Sequence, residues 1–216
     1  MRMVEPAPVS IFADREPLSP EQEQVVMAPP GPLLVLSGAG SGKTRALTHR
    51  VAYFLRAGVK EERILLLTFT NQAAREMLSR VQSLCRRSLS GLWAGTFHHL
   101  AVRVLRREGY RIGFSPRFTV LDRSDAADLL GACLAEAPLA AGRSYPRGSL
   151  LLSLLLLSVS SERSLSEVIA AQAPEWLELA DELSRACDRY ALRKLPLQLA
   201  DFDDLLLGWR LLLGDH

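Results

Sequence analysis

Apolar runs alternate with helical periods over roughly the first 120 residues, and from residue 124 onward only the helical period continues. Ser19, Pro20 and Gln22 open the pattern as a helix start: a hydroxyl cap, a proline at the first helical position, and a carboxamide able to reach back to the cap. Pro29, Pro30, Gly31 and Pro32 break that helix, since a proline has no N–H to continue it. Residues 33–37 then read as a buried strand, and a helix from about 45 to 57 stops at Gly58. A second buried strand is expected at 63–69, a helix at 72–86, a short strand at 92–95, a helix at 97–108 stopping at Gly109, and another short strand at 118–121. Near-continuous apolar strands alternating with helices predict an α/β fold: a parallel sheet covered by helices on both faces.

Helices alone are expected afterwards, over about 124–137, 148–159, 164–171, 175–191 and 201–213. The pattern therefore predicts a flexible, proline-bearing lead-in at 1–17, a sheet domain at 18–123, and an all-helical subdomain inserted at 124–216. With 216 residues and 48% hydrophobic content the chain can bury a substantial core. Residues 150–159 form the longest apolar stretch, but Ser153 and Ser158 interrupt it and it falls short of the ~18 residues of a membrane span. With charged and proline-bearing residues in place of a secretory signal, a bacterial-type cytoplasm is the expected location. Cys85, Cys133 and Cys187 lie far apart, which suggests neither a disulfide framework nor a zinc site.

Charge changes this picture. The formal net charge is only +2, yet residues 40–123 hold 16 Lys or Arg against 5 Asp or Glu, a net of +11, with −3 before and −6 after. Such a block suggests a polyanionic partner, although arginines coating exposed helix faces would look the same.

The basic block begins inside a glycine-rich loop. Residues 37–44 read Ser-Gly-Ala-Gly-Ser-Gly-Lys-Thr between the first strand and a helix, the pattern of a phosphate-binding loop with Ser37 where glycine is usual. Gly38, Ala39, Gly40, Ser41 and Gly42 are small enough for successive N–H groups to curl around an anion, Lys43 adds a full positive charge, and Thr44 offers a hydroxyl to magnesium. A plain glycine-rich turn is the bland alternative. Gln22, just ahead of the loop strand, can both donate to and accept from an adenine edge, or serve only as the helix cap's partner. Phe69, Thr70 and Asn71 follow the second strand, at the carboxyl end where open α/β sheets bind ligands, and suit single-stranded nucleic acid bound by stacking and phosphate contact. A core phenylalanine followed by a helix cap is the competing reading. Thr96, Phe97 and His98 repeat that arrangement after the next strand, while adjacent His98 and His99 lack further ligands and carry no metal assignment.

Five segments, 18–22 (Leu-Ser-Pro-Glu-Gln), 38–45, 68–77 (Thr-Phe-Thr-Asn-Gln-Ala-Ala-Arg-Glu-Met), 95–98 (Gly-Thr-Phe-His) and 201–206 (Asp-Phe-Asp-Asp-Leu-Leu), together resemble the UvrD/Rep/PcrA family of superfamily 1 DNA helicases, in that family's order and spacing. The resemblance spans residue 18 to about 213. It implies a RecA-like P-loop sheet with the helical insertion, and a motor that uses ATP and Mg2+ to move 3′ to 5′ on single-stranded DNA or from a 3′-tailed duplex. It further implies association with the bacterial nucleoid, no membrane, and repair or replication proteins as partners. By the same resemblance Gln22 and Arg45 lie on the nucleotide, Lys43 neutralises the β and γ phosphates, Thr44 holds magnesium, and Phe69, Thr70, Asn71, Thr96, Phe97 and His98 contact DNA.

A triphosphatase of this kind also needs an acidic residue after a strand to hold magnesium and a glutamate to activate water. No Asp-Glu pair follows an apolar strand here. Phe118-Thr-Val-Leu-Asp122 has the shape of such a strand, which would suit a phosphotransferase holding magnesium on Asp122, but the family places that segment ahead of its insertion. The family's Asp-Glu motif and second motor domain come after the region corresponding to 201–206. The chain is therefore expected to be an amino-terminal piece of a helicase that binds nucleotide weakly and hydrolyses it negligibly. The alternative is a shortened, non-catalytic protein that binds DNA or a helicase. Leu205, Leu206, Leu207, Trp209, Leu211, Leu212 and Leu213 are expected to lack part of their cover.

Overall fold

A computed structural model describes residues 17–136 and 144–214. The lead-in read at 1–17 lies outside these apart from Pro17, as does the last residue of the helix expected at 124–137. Packing divides the chain into Met1–Leu100 and Ala101–His216.

In the first unit, α1 (Pro20–Met27) starts at the expected capping box: the Gln22 amide donates to Ser19 Oγ, and the Ser19 N–H donates back to Gln22 Oε1. α2 (Lys43–Arg56) ends at Ala57, and Gly58 at φ +88° takes the left-handed turn expected of it. β1 (Leu65–Thr68), α3 (Asn71–Cys85) and β2 (Trp93–Thr96) follow, and α4 (Phe97–Glu108) begins here. β1 and β2 pair in parallel, with Leu66 opposite Ala94 and Thr68 opposite Thr96. Val51 and Leu55 of α2, Leu66 of β1, and Met77 and Val81 of α3 close with Leu89 and Leu92 into one core. Each such side chain contributes about 1.5–3 kcal/mol by burial.

The strand expected at 33–37 does not form. These residues run as irregular chain, with Leu34 81% and Leu36 84% exposed. A strand needs a neighbour to take its N–H and C=O groups, and among the described residues β1 and β2 pair only with each other. An apolar run reports hydrophobicity; it cannot report whether a partner is at hand. The sheet of this unit is thus two-stranded.

In the second unit α4 gives way at Gly109 to a 3-10 turn (Gly109–Ile112), and Gly113 rather than Gly109 takes the left-handed conformation, at φ +89°. β3 (Thr119–Val120) pairs in parallel with β4 (Leu199–Ala200). Between them run α5 (Arg123–Ala135), α6 (Gly148–Ser161), α7 (Leu165–Gln172) and α8 (Ala180–Lys194), and α9 (Phe202–Gly214) follows β4. The helix expected at 175–191 is two elements, a 3-10 turn (Pro174–Leu179) and then α8. Leu130, Leu151, Ile169, Leu183 and Tyr190 centre the four-helix core. Gly148 lets α6 approach α5 closely, since a Cβ there would collide with the Ala127 carbonyl and the Gly131 backbone.

A smaller core gathers Ala101, Leu105, Phe118, Ala200, Leu205 and Leu212. The apolar cluster of α9 is accordingly divided: Leu205 and Leu212 are buried, while Leu211 and Leu213 are exposed. Composition changes at 123/124, whereas packing changes at Leu100/Ala101, because β3 is joined to β4 across the helices and belongs with them. Among the described residues the fold is α/β, predominantly helical, with a two-stranded parallel sheet in each unit.

Candidate functional site

The glycine-rich loop turns on two left-handed residues, Gly40 at φ +76° and Gly42 at φ +82°, a conformation that glycine adopts without strain. Gly42 has a second constraint: a Cβ on it would collide with the Gln22 side-chain nitrogen. Ser41 Oγ donates to the Gly38 carbonyl at 2.8 Å and closes the turn. Lys43 folds back over the loop, donating to the carbonyls of Ser37 at 3.0 Å and Gly38 at 2.6 Å. Both of these partners are neutral carbonyl dipoles. Lys43 and Thr44 are both exposed in the first turn of α2, where unsatisfied N–H groups favour negative charge.

This donor set suits a polyphosphate. Thr44 supplies one hydroxyl, and among the described residues no cluster of three or more His, Cys, Asp or Glu is arranged to hold a metal. Gln22 does more than cap its helix, because its Nε2 also donates to the Ser41 carbonyl at 3.0 Å. That bond joins α1 to the loop.

Parallel pairing brings the two aromatic segments together. Thr68 and Thr96 are register partners at the strand ends, so the next residues, Phe69 and Phe97, emerge side by side with ring centroids 6.1 Å apart. Phe69 is 91% exposed, which removes the core-phenylalanine reading, and Phe97 is 40% exposed. The hydroxyls of Thr70 and Thr96 accept from the Ala73 and His99 amides and cap α3 and α4. Asn71 begins α3, and His98 is half-buried in the first turn of α4. Two helix starts and two rings on one sheet edge can stack bases and receive phosphates.

Arg50 is a residue that sequence reasoning passed over. From α2 it donates to the carbonyls of Val25 at 2.7 Å, Val26 at 3.3 Å, Ala28 at 2.8 Å and Pro29 at 3.3 Å. The signal was the run of prolines after α1, which deprives that helix end of backbone donors.

The acidic motif of the second unit has a different character. It follows a strand, β4, where a helical stretch was expected. Asp201 Oδ1 accepts from the Asp203 and Asp204 amides, and the Asp201 N–H donates to Asp204 Oδ2 at 2.9 Å, a capping box built from two carboxylates. Lys194 donates to Asp201 at 2.6 Å and also to Asp204, and the Tyr190 hydroxyl donates to Asp201 at 2.7 Å. Burial pushes the Asp204 carboxyl above its ordinary value, with the Asp201 charge adding to it. Burial pulls Asp201 the same way, but the Lys194 charge and its hydrogen bonds outweigh that and hold Asp201 low. Asp122, the other strand-end acid, caps α5 by accepting from the Ser124 and Asp125 amides, both at 2.8 Å.

Residues 18–215 match the UvrD/REP helicase N-terminal domain family. Among curated relatives, an ATP-dependent DNA helicase PcrA of Bacillus subtilis (strain 168) is 38% identical over 191 residues, covering 88% of this chain and 25% of the relative. The PcrA helicases of Staphylococcus epidermidis (strain ATCC 12228 / FDA PCI 1200) and Staphylococcus aureus (strain NCTC 8325 / PS 47) are 43% identical over 131 residues, 60% of this chain and 18% of theirs. The chain thus spans a quarter or less of these relatives' length. With a family match over nearly all of its described residues, the chain belongs to the UvrD/Rep helicase family and corresponds to its amino-terminal domain.

Proposed function

We propose that the chain is the ATP-binding, strand-gripping amino-terminal part of an ATP-dependent DNA helicase that moves 3′ to 5′ on single-stranded DNA. In this reading 18–123 is the ATP-binding part of a RecA-like motor domain and 124–216 its helical subdomain. Gly38, Ala39, Gly40, Ser41 and Gly42 wrap the phosphates, Lys43 neutralises them, Thr44 ligates the magnesium they bring, and Gln22 and Arg45 frame the base. Phe69, Thr70, Asn71, Thr96, Phe97 and His98 form the DNA track. A bacterial cytoplasm with nucleoid DNA as substrate, and repair or replication proteins as partners, suits this activity.

The observation that carries the reading is the juxtaposition of Phe69 and Phe97 by the β1–β2 register, in the same unit as the phosphate loop. Phe69 lies almost wholly open to solvent beside the partly exposed Phe97, and stacking on nucleobases gives this pair of rings a use. The acid that would fire hydrolysis is not supplied by Asp122 or Asp201, both of which are engaged by their own helices. Titrating a labelled oligothymidine in rising salt tests the DNA half. Affinity is expected to fall steeply as the basic segment ceases to release counterions. A flat response overturns the track.

A further inference from the structure

α1 is a short helix of eight residues, too short to hold its shape or place by propensity alone. Its amino end is closed by the Ser19–Gln22 box, but its carboxyl end has no ordinary means of closure. Helices usually finish by taking N–H groups from the residues just beyond them. Here Pro29, Pro30 and Pro32 have none to give, and no basic residue stands in the last turn. Arg50 supplies the missing donors from the neighbouring helix. Its guanidinium serves four of the five carbonyls from Val25 to Pro29, all but that of Met27, opposite the negative end of the helix dipole, and lies 4.7 Å over the Phe54 ring. Only a planar fork can serve so many acceptors at once.

The other end of the same helix carries Gln22, whose Nε2 rests on the loop at Ser41. Arg50 and Lys43 are seven residues apart on α2, two turns along one face, so one rigid helix bears both the phosphate-binding lysine and the residue that anchors α1. We propose that Arg50 is a positioning residue for base recognition: by fastening the carboxyl end of α1 to α2, it holds the Gln22 carboxamide over the phosphate loop. Arg50 touches no ligand and acts through Gln22. The inference rests on the proposed reading of the loop as an ATP site.

Because the role is positional, its signature is a change in preference for the base with no change in grip on phosphate. The 216-residue chain is titrated with ATP and with inorganic tripolyphosphate, each with magnesium, as wild type, Gln22→Ala, Arg50→Met and the double variant, with folding followed by circular dichroism. Arg50→Met keeps the aliphatic stem and removes the donors. It is expected to weaken ATP about 5- to 10-fold, as Gln22→Ala does, the loss of about one hydrogen bond, while tripolyphosphate stays within about twofold. The double variant should bind ATP no more weakly than Gln22→Ala alone. Equal losses for both ligands, an unchanged ATP affinity, or multiplying losses in the double variant would overturn the proposal. Should Arg50→Met fail to fold, Arg50→Lys takes its place. There a reduced ATP-to-tripolyphosphate preference supports the role, and a wild-type preference overturns it. Wild-type protein that binds neither ligand would overturn the ATP reading and this proposal with it. Binding of both ligands with ATP unaffected by Gln22→Ala removes Gln22 from base recognition, and Arg50 with it, while leaving the phosphate site standing.

Discussion

Lys43 and Lys194 make a controlled comparison within one chain. Each ammonium sits against two oxygen acceptors, yet one is exposed on backbone carbonyls and the other is buried between carboxylates. The carbonyls of Ser37 and Gly38 carry no net charge, so an anion can take the Lys43 ammonium from them at small electrostatic cost. Asp201 and Asp204 have already neutralised Lys194, and an incoming anion would meet two negative charges first. A lysine next to oxygens is open to a further anion in the first setting and committed to a structural clasp in the second; what its partners carry decides between them.

The sharpest way to break the comparison is Lys194→Met. It leaves two carboxylates with no cation in a site where Lys194 is 6% exposed, and removal of one partner of a buried pair typically costs about 3–5 kcal/mol. Urea denaturation should show that loss in the second unit, and a change below about 1 kcal/mol would mean that water already screens the clasp. Lys43→Ala should do the reverse. Its denaturation midpoint is expected to stay near wild type while ATP binding in a calorimetric titration weakens about tenfold or more, the effect of losing a charge-assisted bond. Equal ATP affinity would contradict the assignment.

Phe69→Ala is expected to weaken oligothymidine binding by about 1–3 kcal/mol, as loss of a stacking platform does, with little change in melting temperature because the ring is 91% exposed. Unaltered DNA affinity would take Phe69 out of the track. The smallest effect concerns pH. Asp204 is held above its ordinary value of 3.8, so the folded state keeps a proton there that the unfolded chain has lost, and this group's stabilisation declines as pH rises from 3.8 through the raised value. Asp201 is held below 3.8, so its stabilisation is present above that pH and fails as pH falls through the lowered one. Asp204→Asn should flatten the upper limb of the stability curve and spare the acid limb. An unchanged upper limb would show that Asp204 does not titrate there.

How much of this was legible in the sequence follows from the range of the interactions involved. The Ser19–Gln22 box and the Gly58 stop are set by residues a few positions apart, so pattern and chemistry located them. The loop and the two aromatic segments carry their chemistry in contiguous residues and were equally visible, as was the helical character of the second half. Residues 33–37 show the opposite case, since their leucines declare an apolar run whatever stands beside them. Pairing of β3 with β4 and the departure of Gly113 from the expected stop at Gly109 likewise depended on distant packing.

The sequence by itself determined the glycine-rich loop, the aromatic segments, the net charge of +11 over 40–123 and the kinship they announce, because each resides in neighbouring residues whose types alone carry the pattern. Only the tertiary structure decided that Phe69 and Phe97 share an edge, that Arg50 closes a helix in which it takes no part, and that Asp201 and Asp204 spend their charge on Lys194. Those are contacts between residues distant along the chain or on different elements, and no local pattern encodes which cation will meet which oxygen.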